Sequence, residues 1–229
     1  MRQHKIKINA LNKINQDIQK HSPHPKTVNI IAVTKAFNYT AILSAKENRV
    51  LCIGENKVQE FLCKKNEQPT IARNLETHLI GHLQRNKVKK AVGLFNVIQT
   101  IDSLKIAQKI NDEAKATGQQ QKVFIQINVG LDPNKHGFML ENIYNNIETT
   151  QNHSHLNLIG LMTILPFYKD TKKTQPLFSR MKKTQEKVLA EISPTCKFLS
   201  MGMSRDYIYA LQEGATHLRI GTKLYGERA

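Results

Sequence analysis

The sequence predicts an α/β fold, a single (β/α)8 TIM barrel with one additional N-terminal helix. Three observations support this prediction: short apolar runs alternate with segments of helical periodicity, the apolar runs number eight, and no Gly/Ser-rich linker divides the 229 residues. Strands separated by helices pair in parallel through right-handed crossovers. Eight such units in about 200 residues match the lower size limit of a closed barrel. We therefore expect one domain over residues 1–229.

The predicted strands follow one another along the whole chain. In order they are VNIIAVTK, RVLCIGEN, ETHLIG, FNVIQTID, QKVFIQINVG, LNLIGLMTI, KFLSMGM and THLRIGTKLYG. The segments between them carry apolar residues at helical spacing, for example Leu104, Ala107, Ile110 and Ala114 in one of them. An open doubly wound sheet accommodates the same alternation with five or six strands, so the strand count favours the barrel.

The segment before the first strand has the pattern of an amphipathic helix. Leu11, Ile14 and Ile18 fall at helical spacing, and Asp17 is the only carboxylate before Glu47. An acid-poor N-terminus is also found in organellar transit peptides, but those are richer in Arg and Ser. We favour a helix that packs on the barrel.

Composition restricts the functional classes. No apolar run reaches the roughly 18 residues of a membrane-spanning helix, and the N-terminus does not resemble a signal peptide, so a cytoplasmic protein is expected. The three cysteines form no CxxC pair, which argues against a disulfide framework and a zinc site. The nine histidines include one HxH pair, His153 and His155, and no HExxH motif. A single such pair is weak evidence for a metal, so no metal site is predicted.

The chain is strongly basic, with a net charge of +16 and a pI near 9.8. The charges recur in separate helical segments, which is typical of solvated faces. Aromatic residues make up 6% of the chain and Trp is absent, so the stacking surfaces of single-strand binders are not evident. Specific nucleic-acid binding is therefore not predicted.

Polar and reactive residues lie at the ends of the predicted strands. In barrels of this type the active site is built at the C-terminal ends of the strands and in the following loops. The residues at these ends include Lys35, Glu55, Asn56, Asp102, Asn128, Met203, Ser204, Gly221 and Thr222.

Lys35 is the candidate nucleophile. It is in phase with Ile31 and Val33, so it points into the barrel mouth if Ile31 faces inward. A confined lysine loses hydration, which lowers its pKa and frees the neutral amine for imine formation with an aldehyde. Strand-terminal lysines are also often merely solvated.

The loops after the last two strands predict a phosphate site. Gly202 and Ser204 follow the seventh strand, and Gly221 and Thr222 follow the eighth. Phosphate sites in these barrels are commonly built in these two loops. Each loop taken singly could equally be a simple turn.

Arg219 and Asn56 complete the candidate site. An inward guanidinium needs a partner, either the pyridine nitrogen of a cofactor or a barrel carboxylate such as Glu55. An Arg beside that nitrogen keeps it unprotonated, which makes the ring a weak electron sink. Asn56 either hydrogen-bonds the ring hydroxyl or caps the following helix.

These residues belong to motifs that are spread over nearly the whole chain. They are AVTK at 32–35, GENKVQE at 54–60, HLIGHLQRNK at 78–87, TIDS at 100–103, KHG at 135–137, GLMTI at 160–164, LSMGMSRD at 199–206 and RIGTKLYGER at 219–228. Together they resemble the YggS/PROSC family of pyridoxal-phosphate homeostasis proteins. The resemblance implies a fold like the barrel domain of alanine racemase.

The resemblance also assigns roles to residues. It implies a Schiff base between Lys35 and pyridoxal 5′-phosphate (PLP), with Arg219 beside the pyridine nitrogen. It places the phosphate between Ser204 and the backbone of Gly221 and Thr222. The further residues that it implies in the lining of the cofactor pocket are Asn56, Met162, Ser200 and Met201.

The leading hypothesis is a monomeric PLP carrier or buffer without established turnover, with PLP-dependent apoenzymes as candidate partners. The alternative is a PLP-dependent amino-acid racemase of weak activity. Two-base racemisation needs an acid or base on each face of the substrate carbon, and Lys35 serves only one. In the racemases that the chain resembles, the opposite group is a Tyr of a second domain, for which a chain ending at Ala229 leaves no room.

Overall fold

The computed structural model of the protein describes residues 3–227. Within these residues, eight strands form a closed parallel barrel in chain order. Their bounds are β1 Asn29–Val33, β2 Cys52–Glu55, β3 Glu76–Leu79, β4 Val97–Ile101, β5 Gln121–Gln126, β6 Leu156–Met162, β7 Phe198–Met203 and β8 His217–Ile220. Pairing of β1 with β8 closes the barrel. Each predicted apolar run forms one strand, so the barrel prediction is confirmed.

Helices connect the strands and surround the barrel. Within the described residues they are α1 Ile8–His21, α2 Thr40–Glu47, α3 Val58–Glu67, α4 Val88–Ala91, α5 Leu104–Ala116, α6 Ile143–Gln151, α7 Gln175–Glu191, α8 Tyr207–Gln212 and α9 Thr222–Tyr225. None of these helices has the length and the apolar character needed to cross a lipid bilayer.

The predicted N-terminal helix packs on the barrel as α1. Its apolar face, with Leu11, Ile14 and Ile18, is buried in the main core. The hydroxyl of Tyr207 on α8 donates a 2.6 Å hydrogen bond to Oδ2 of Asp17. Apolar burial and this buried bond together hold α1 against α8.

Strand alternation divides the interior into two regions. Side chains that point outward join the large core between the strands and the helices, as Leu199 and Met201 do on β7. Side chains that point inward fill the barrel, where Val97, Phe124 and Met162 form a separate apolar cluster. The face on which a residue lies therefore decides whether it can reach the barrel mouth.

His217 is a buried histidine inside the barrel, with 4% of its surface exposed. Its ring lies 5.6 Å from that of Phe124 and 5.3 Å from that of Phe198, measured between centroids. Burial lowers the pKa of His217 to about 3, from an ordinary value of 6.5. The folded protein therefore keeps this ring neutral between pH 6.5 and pH 5.

This burial predicts acid sensitivity. As the pH falls below 6.5, the unfolded chain protonates His217 while the folded state does not, so the unfolded state gains stability. We expect His217 to cost about 2 kcal/mol of folding stability between pH 6.5 and pH 5. Urea unfolding at the two pH values measures the loss, which should largely vanish in His217→Gln. An equal loss in His217→Gln and wild type would contradict the prediction, and His155→Gln, at a partly exposed site, is the control.

Candidate active site

The C-terminal ends of the strands enclose a cavity of about 580 Å³. Val33 and Lys35 both line it, as their shared strand phase predicts. The structure brings together six of the predicted site residues in the cavity wall: Lys35, Asn56, Ser204, Arg219, Gly221 and Thr222.

Three residues expected in the cofactor pocket, Met162, Ser200 and Met201, do not line this cavity. Met201 points outward into the core shared with the helices. Met162 packs in the apolar cluster inside the barrel. Ser200 is fully buried and bonds to Arg219. Strand alternation and depth place these three residues behind the cavity wall, and their contact with a cofactor stays a prediction.

The backbone before Lys35 is held by a buried ion pair. Nζ of Lys64 on α3 lies 2.6 Å from Oε1 of Glu55 and donates a 2.9 Å hydrogen bond to the carbonyl of Thr34. The hydroxyl of Thr34 donates to the same Glu55 oxygen at 2.6 Å. Burial raises the pKa of Glu55, and the ammonium of Lys64 opposes that rise. Both the carbonyl and the side chain of Thr34 are thus fixed.

The backbone after Lys35 is held by the same cluster. The amide of Ala36 donates a 2.5 Å hydrogen bond to Oε1 of Glu60, and that oxygen also lies 3.0 Å from Nζ of Lys64. Ala36 has a φ of 62°, a left-handed conformation that is costly for a residue with a Cβ. Contacts on both sides therefore set the position of Lys35 at the cavity, and they hold a turn that is locally unfavourable.

Arg219 is a buried guanidinium, with 4% of the residue exposed. Its two terminal nitrogens donate to Oγ of Ser200 at 2.8 Å and to the carbonyl of Thr163 at 2.6 Å. Burial lowers the pKa of Arg219 to about 10, a change that Asp206 opposes, so Arg219 stays charged at neutral pH. Glu55 pairs with Lys64, and the alternative of an Arg219–Glu55 salt bridge is not observed.

A chain of hydrogen bonds runs from Arg219 through the barrel to its opposite end. Ser200 accepts from Arg219 and donates to Oε1 of Gln99 at 2.6 Å. Nε2 of Gln99 lies 2.9 Å from Nδ1 of His78, and Nε2 of His78 lies 3.3 Å from Oε2 of Glu76. With the Gln99 amide as donor, every donor points toward Glu76. The hydrogen bond from His78 holds the pKa of Glu76 at about 2, so opposite charges terminate the chain.

The two loops of the predicted phosphate site contact each other. The hydroxyl of Ser204 accepts a 3.3 Å hydrogen bond from the amide of Lys223, in the helix that begins at Thr222. Gly202 has a φ of 86°, and a Cβ there would lie 2.6 Å from that of Ala210. Gly202 lies within β7, and a glycine is required there because the end of the strand packs closely against α8.

Asn56 lines the cavity and does not cap α3, whose N-cap residue is Lys57. Its backbone is packed closely against Gly81. A Cβ at Gly81 would lie 2.7 Å from Cα of Asn56 and closer still to the Asn56 carbonyl oxygen. The position of Asn56 thus depends on a glycine in the loop after β3.

We expect Gly81→Ala to displace Asn56 and to destabilise the fold by about 1–3 kcal/mol, because the clashing atoms are backbone atoms that cannot rotate away. Chemical denaturation measures the loss, and the NMR signal of the Asn56 side-chain amide reports the displacement. Gln84→Ala, at an exposed position of the same loop, is the matched control. An unchanged Asn56 signal in Gly81→Ala would refute the expectation.

Comparison with known proteins gives the family. The model of the alanine racemase N-terminal domain matches residues 6–229. A pyridoxal phosphate homeostasis protein of Aquifex aeolicus is 38% identical over 175 residues, 76% of each chain. One of Haemophilus influenzae is 34% identical over 95% of this chain and 94% of its own. The chain belongs to the YggS/PROSC family of pyridoxal phosphate homeostasis proteins.

Solved structures agree with this assignment. PipY of Synechococcus elongatus without PLP superposes with a TM-score of 0.85 at 32% identity, covering 95% of this chain and 99% of PipY. The same protein with PLP bound superposes with a TM-score of 0.83. Alanine racemase of Clostridium difficile, at 19% identity and a TM-score of 0.73, shares the fold over 61% of its length. The structural likeness to the racemase concerns the barrel alone.

Four buried or half-buried residues of this YggS/PROSC site were not predicted from the sequence: Glu60, Lys64, His78 and Gln99. The sequence did contain a pattern for Glu60 and Lys64, because their i,i+4 spacing is that of a helical ion pair. The carboxylate of Glu55, at the end of the preceding strand, was a second indication. For His78 and Gln99 the only indication was a polar residue inside an apolar strand.

Proposed function

We propose that this chain binds PLP through a Schiff base on Lys35, and that it carries or buffers the cofactor to maintain intracellular PLP and amino-acid homeostasis. The observation that carries the proposal is the shared cavity of Lys35, Arg219 and the two last loops. This cavity lies in a chain that is 31% identical to PipY in its PLP-bound structure.

The donor set fits the groups of PLP. Ser204 and the backbone at Gly221 and Thr222 offer hydrogen bonds to a phosphate, and Asn56 offers an amide to the ring hydroxyl. Ser200 and the Thr163 carbonyl hold the Arg219 guanidinium from behind. In the proposed complex this positive charge would interact with the pyridine nitrogen. A cavity of about 580 Å³ lies within the usual range for ligands of this kind.

The same arrangement supports a protein that carries PLP without catalysing a reaction. When bound, PLP supplies a reactive aldehyde and an aromatic ring that can act as an electron sink. Arg219 stays charged at neutral pH, so it keeps the pyridine nitrogen unprotonated and the ring a weak sink. We propose a monomeric, cytoplasmic carrier that passes PLP to PLP-dependent apoenzymes.

The proposal is tested on the purified protein incubated with PLP. An absorbance spectrum should show the imine, and borohydride reduction followed by peptide mapping should place the label on Lys35. Label on another lysine, or a colourless protein in excess PLP, would reject the proposal.

A second experiment separates a carrier from a racemase. The PLP-loaded protein is incubated with a single enantiomer of alanine, and a PLP-dependent apoenzyme is added to a parallel sample. A carrier restores apoenzyme activity and leaves the enantiomer unchanged. Racemisation at enzyme-like rates would reject the carrier hypothesis and support the racemase alternative.

A further inference from the structure

Three loops at the barrel mouth bring two histidines and an aspartate together. His82 follows β3, Asp102 follows β4, and His136 lies in the loop after β5, so the residues come from consecutive strands. Nδ1 of His82 lies 2.7 Å from Oδ2 of Asp102, and Nδ1 of His136 lies 3.8 Å from the same oxygen. Each residue offers one ligand atom, and the three atoms lie within 4.8 Å of one another.

A hydrogen bond to Asp102 explains the position of the His82 ring but not that of the His136 ring. The contact of His82 with Asp102 is a short hydrogen bond, but 3.8 Å is too long for one from His136. The two imidazoles nevertheless stack with their centroids 3.9 Å apart and their planes at 12°. Both Nδ1 atoms lie near the same carboxylate oxygen. Because a metal ion binds in the plane of an imidazole ring, a cation shared by all three ligand atoms requires one ring to rotate out of this stack.

We propose that His82, Asp102 and His136 form a binding site for a divalent transition-metal ion. Two imidazoles and one carboxylate are a recognised ligand set for such ions, with further positions left for water or a small ligand. His82 and His136 also line the cavity, so the open positions of the ion face a molecule bound there.

The ligand chemistry selects the class of ion. Imidazole nitrogen suits Zn²⁺, Co²⁺, Ni²⁺ and Cu²⁺, whereas Mg²⁺ and Ca²⁺ prefer sites made of oxygen ligands. A single carboxylate in a chain of net charge +16 gives hard cations little electrostatic attraction. The site therefore discriminates in favour of ions that bond to nitrogen.

Within residues 3–227 a second group of candidate ligands, Cys52, Glu76 and His78, is less suited to a metal. Burial raises the pKa of the Cys52 thiol to about 12, and a thiol must ionise to bind a metal. Glu76 is paired with Lys122, and Nδ1 of His78 is bonded to Gln99. Oε2 of Glu76 and both ring nitrogens of His78 already belong to the hydrogen-bond chain that begins at Arg219.

The test is a titration of the purified protein with Co²⁺, followed by its visible absorption bands and by competition with Zn²⁺ and Mg²⁺. We expect one saturable site that Zn²⁺ displaces and Mg²⁺ does not. His136→Ala and Asp102→Asn should each weaken Co²⁺ binding by at least about 100-fold, the upper end of what outer-shell substitutions cost. His136 has 58% of its side chain exposed, so His136→Ala should fold normally.

Three control variants make every outcome decisive. His24→Ala should bind Co²⁺ like wild type, because His24 is exposed and distant in sequence from the three ligands. Cys52→Ala should do the same, because Cys52 belongs to the second group. Lys35→Ala should also bind it, because the inference does not depend on a cofactor at Lys35. Absence of saturable binding, loss of binding in Cys52→Ala or Lys35→Ala, or full binding in His136→Ala would each overturn the proposal.

Discussion

We expect the Lys35→Ala variant to take up no PLP covalently, the largest functional effect of any single substitution in this chain. The Schiff base needs an amine at the cavity, and the contacts at Thr34 and Ala36 hold the backbone of residue 35 in place. Removing the side chain leaves the neighbouring contacts intact, so the variant should fold. The imine absorbance and the borohydride-fixed label should both be lost completely.

The matched control for this prediction is Lys57→Ala. Lys57 is an exposed lysine next to Asn56, so its substitution tests whether any lysine near the mouth supports the label. Lys57→Ala should label like wild type. A retained imine band in Lys35→Ala, with the label on a single different lysine, would show that the nucleophile has been misassigned.

The second large effect is expected at Lys64. Its ammonium is buried among Glu55, Glu60 and the Thr34 carbonyl, with 5% of the side chain exposed. Lys64→Met leaves Glu55 buried without its cation, and breaking a buried pair in this way costs about 3–5 kcal/mol. For a chain of this size we expect the melting temperature to fall by about 10 °C. The uptake of PLP should also slow, since Thr34 and Ala36 lose the cluster that holds them.

Two further variants separate the ion pair from a general effect of the substitution. Lys65→Met, at the next position of α3, should shift the melting temperature by no more than ~2 °C. Adding Glu55→Gln to Lys64→Met removes the unpaired charge and should restore part of the stability. If Lys64→Met melts like Lys65→Met, the cluster does not stabilise the turn that carries Lys35.

The sequence predicted the strands and most of the cavity wall because both depend on local patterns. An apolar run of a few residues identifies a strand, and parallel strands in a barrel bring their C-terminal ends together. Lys35, Ser204 and Gly221 could therefore be assigned to one site from their positions at strand ends. Met201 was assigned by resemblance alone; its side chain packs in the main core, and its contact with a cofactor stays a prediction.

The sequence by itself determined the eight-stranded barrel, its opening helix and the strand-end position of Lys35. These follow from periodicity and order along the chain. Only the tertiary structure decided which distant polar residues meet, as in the chain from Arg219 to Glu76 and in the cluster of His82 with His136. Such contacts depend on barrel register and loop conformation, which bring together side chains as far apart in the chain as Gln99 and Ser200, and no local pattern encodes them.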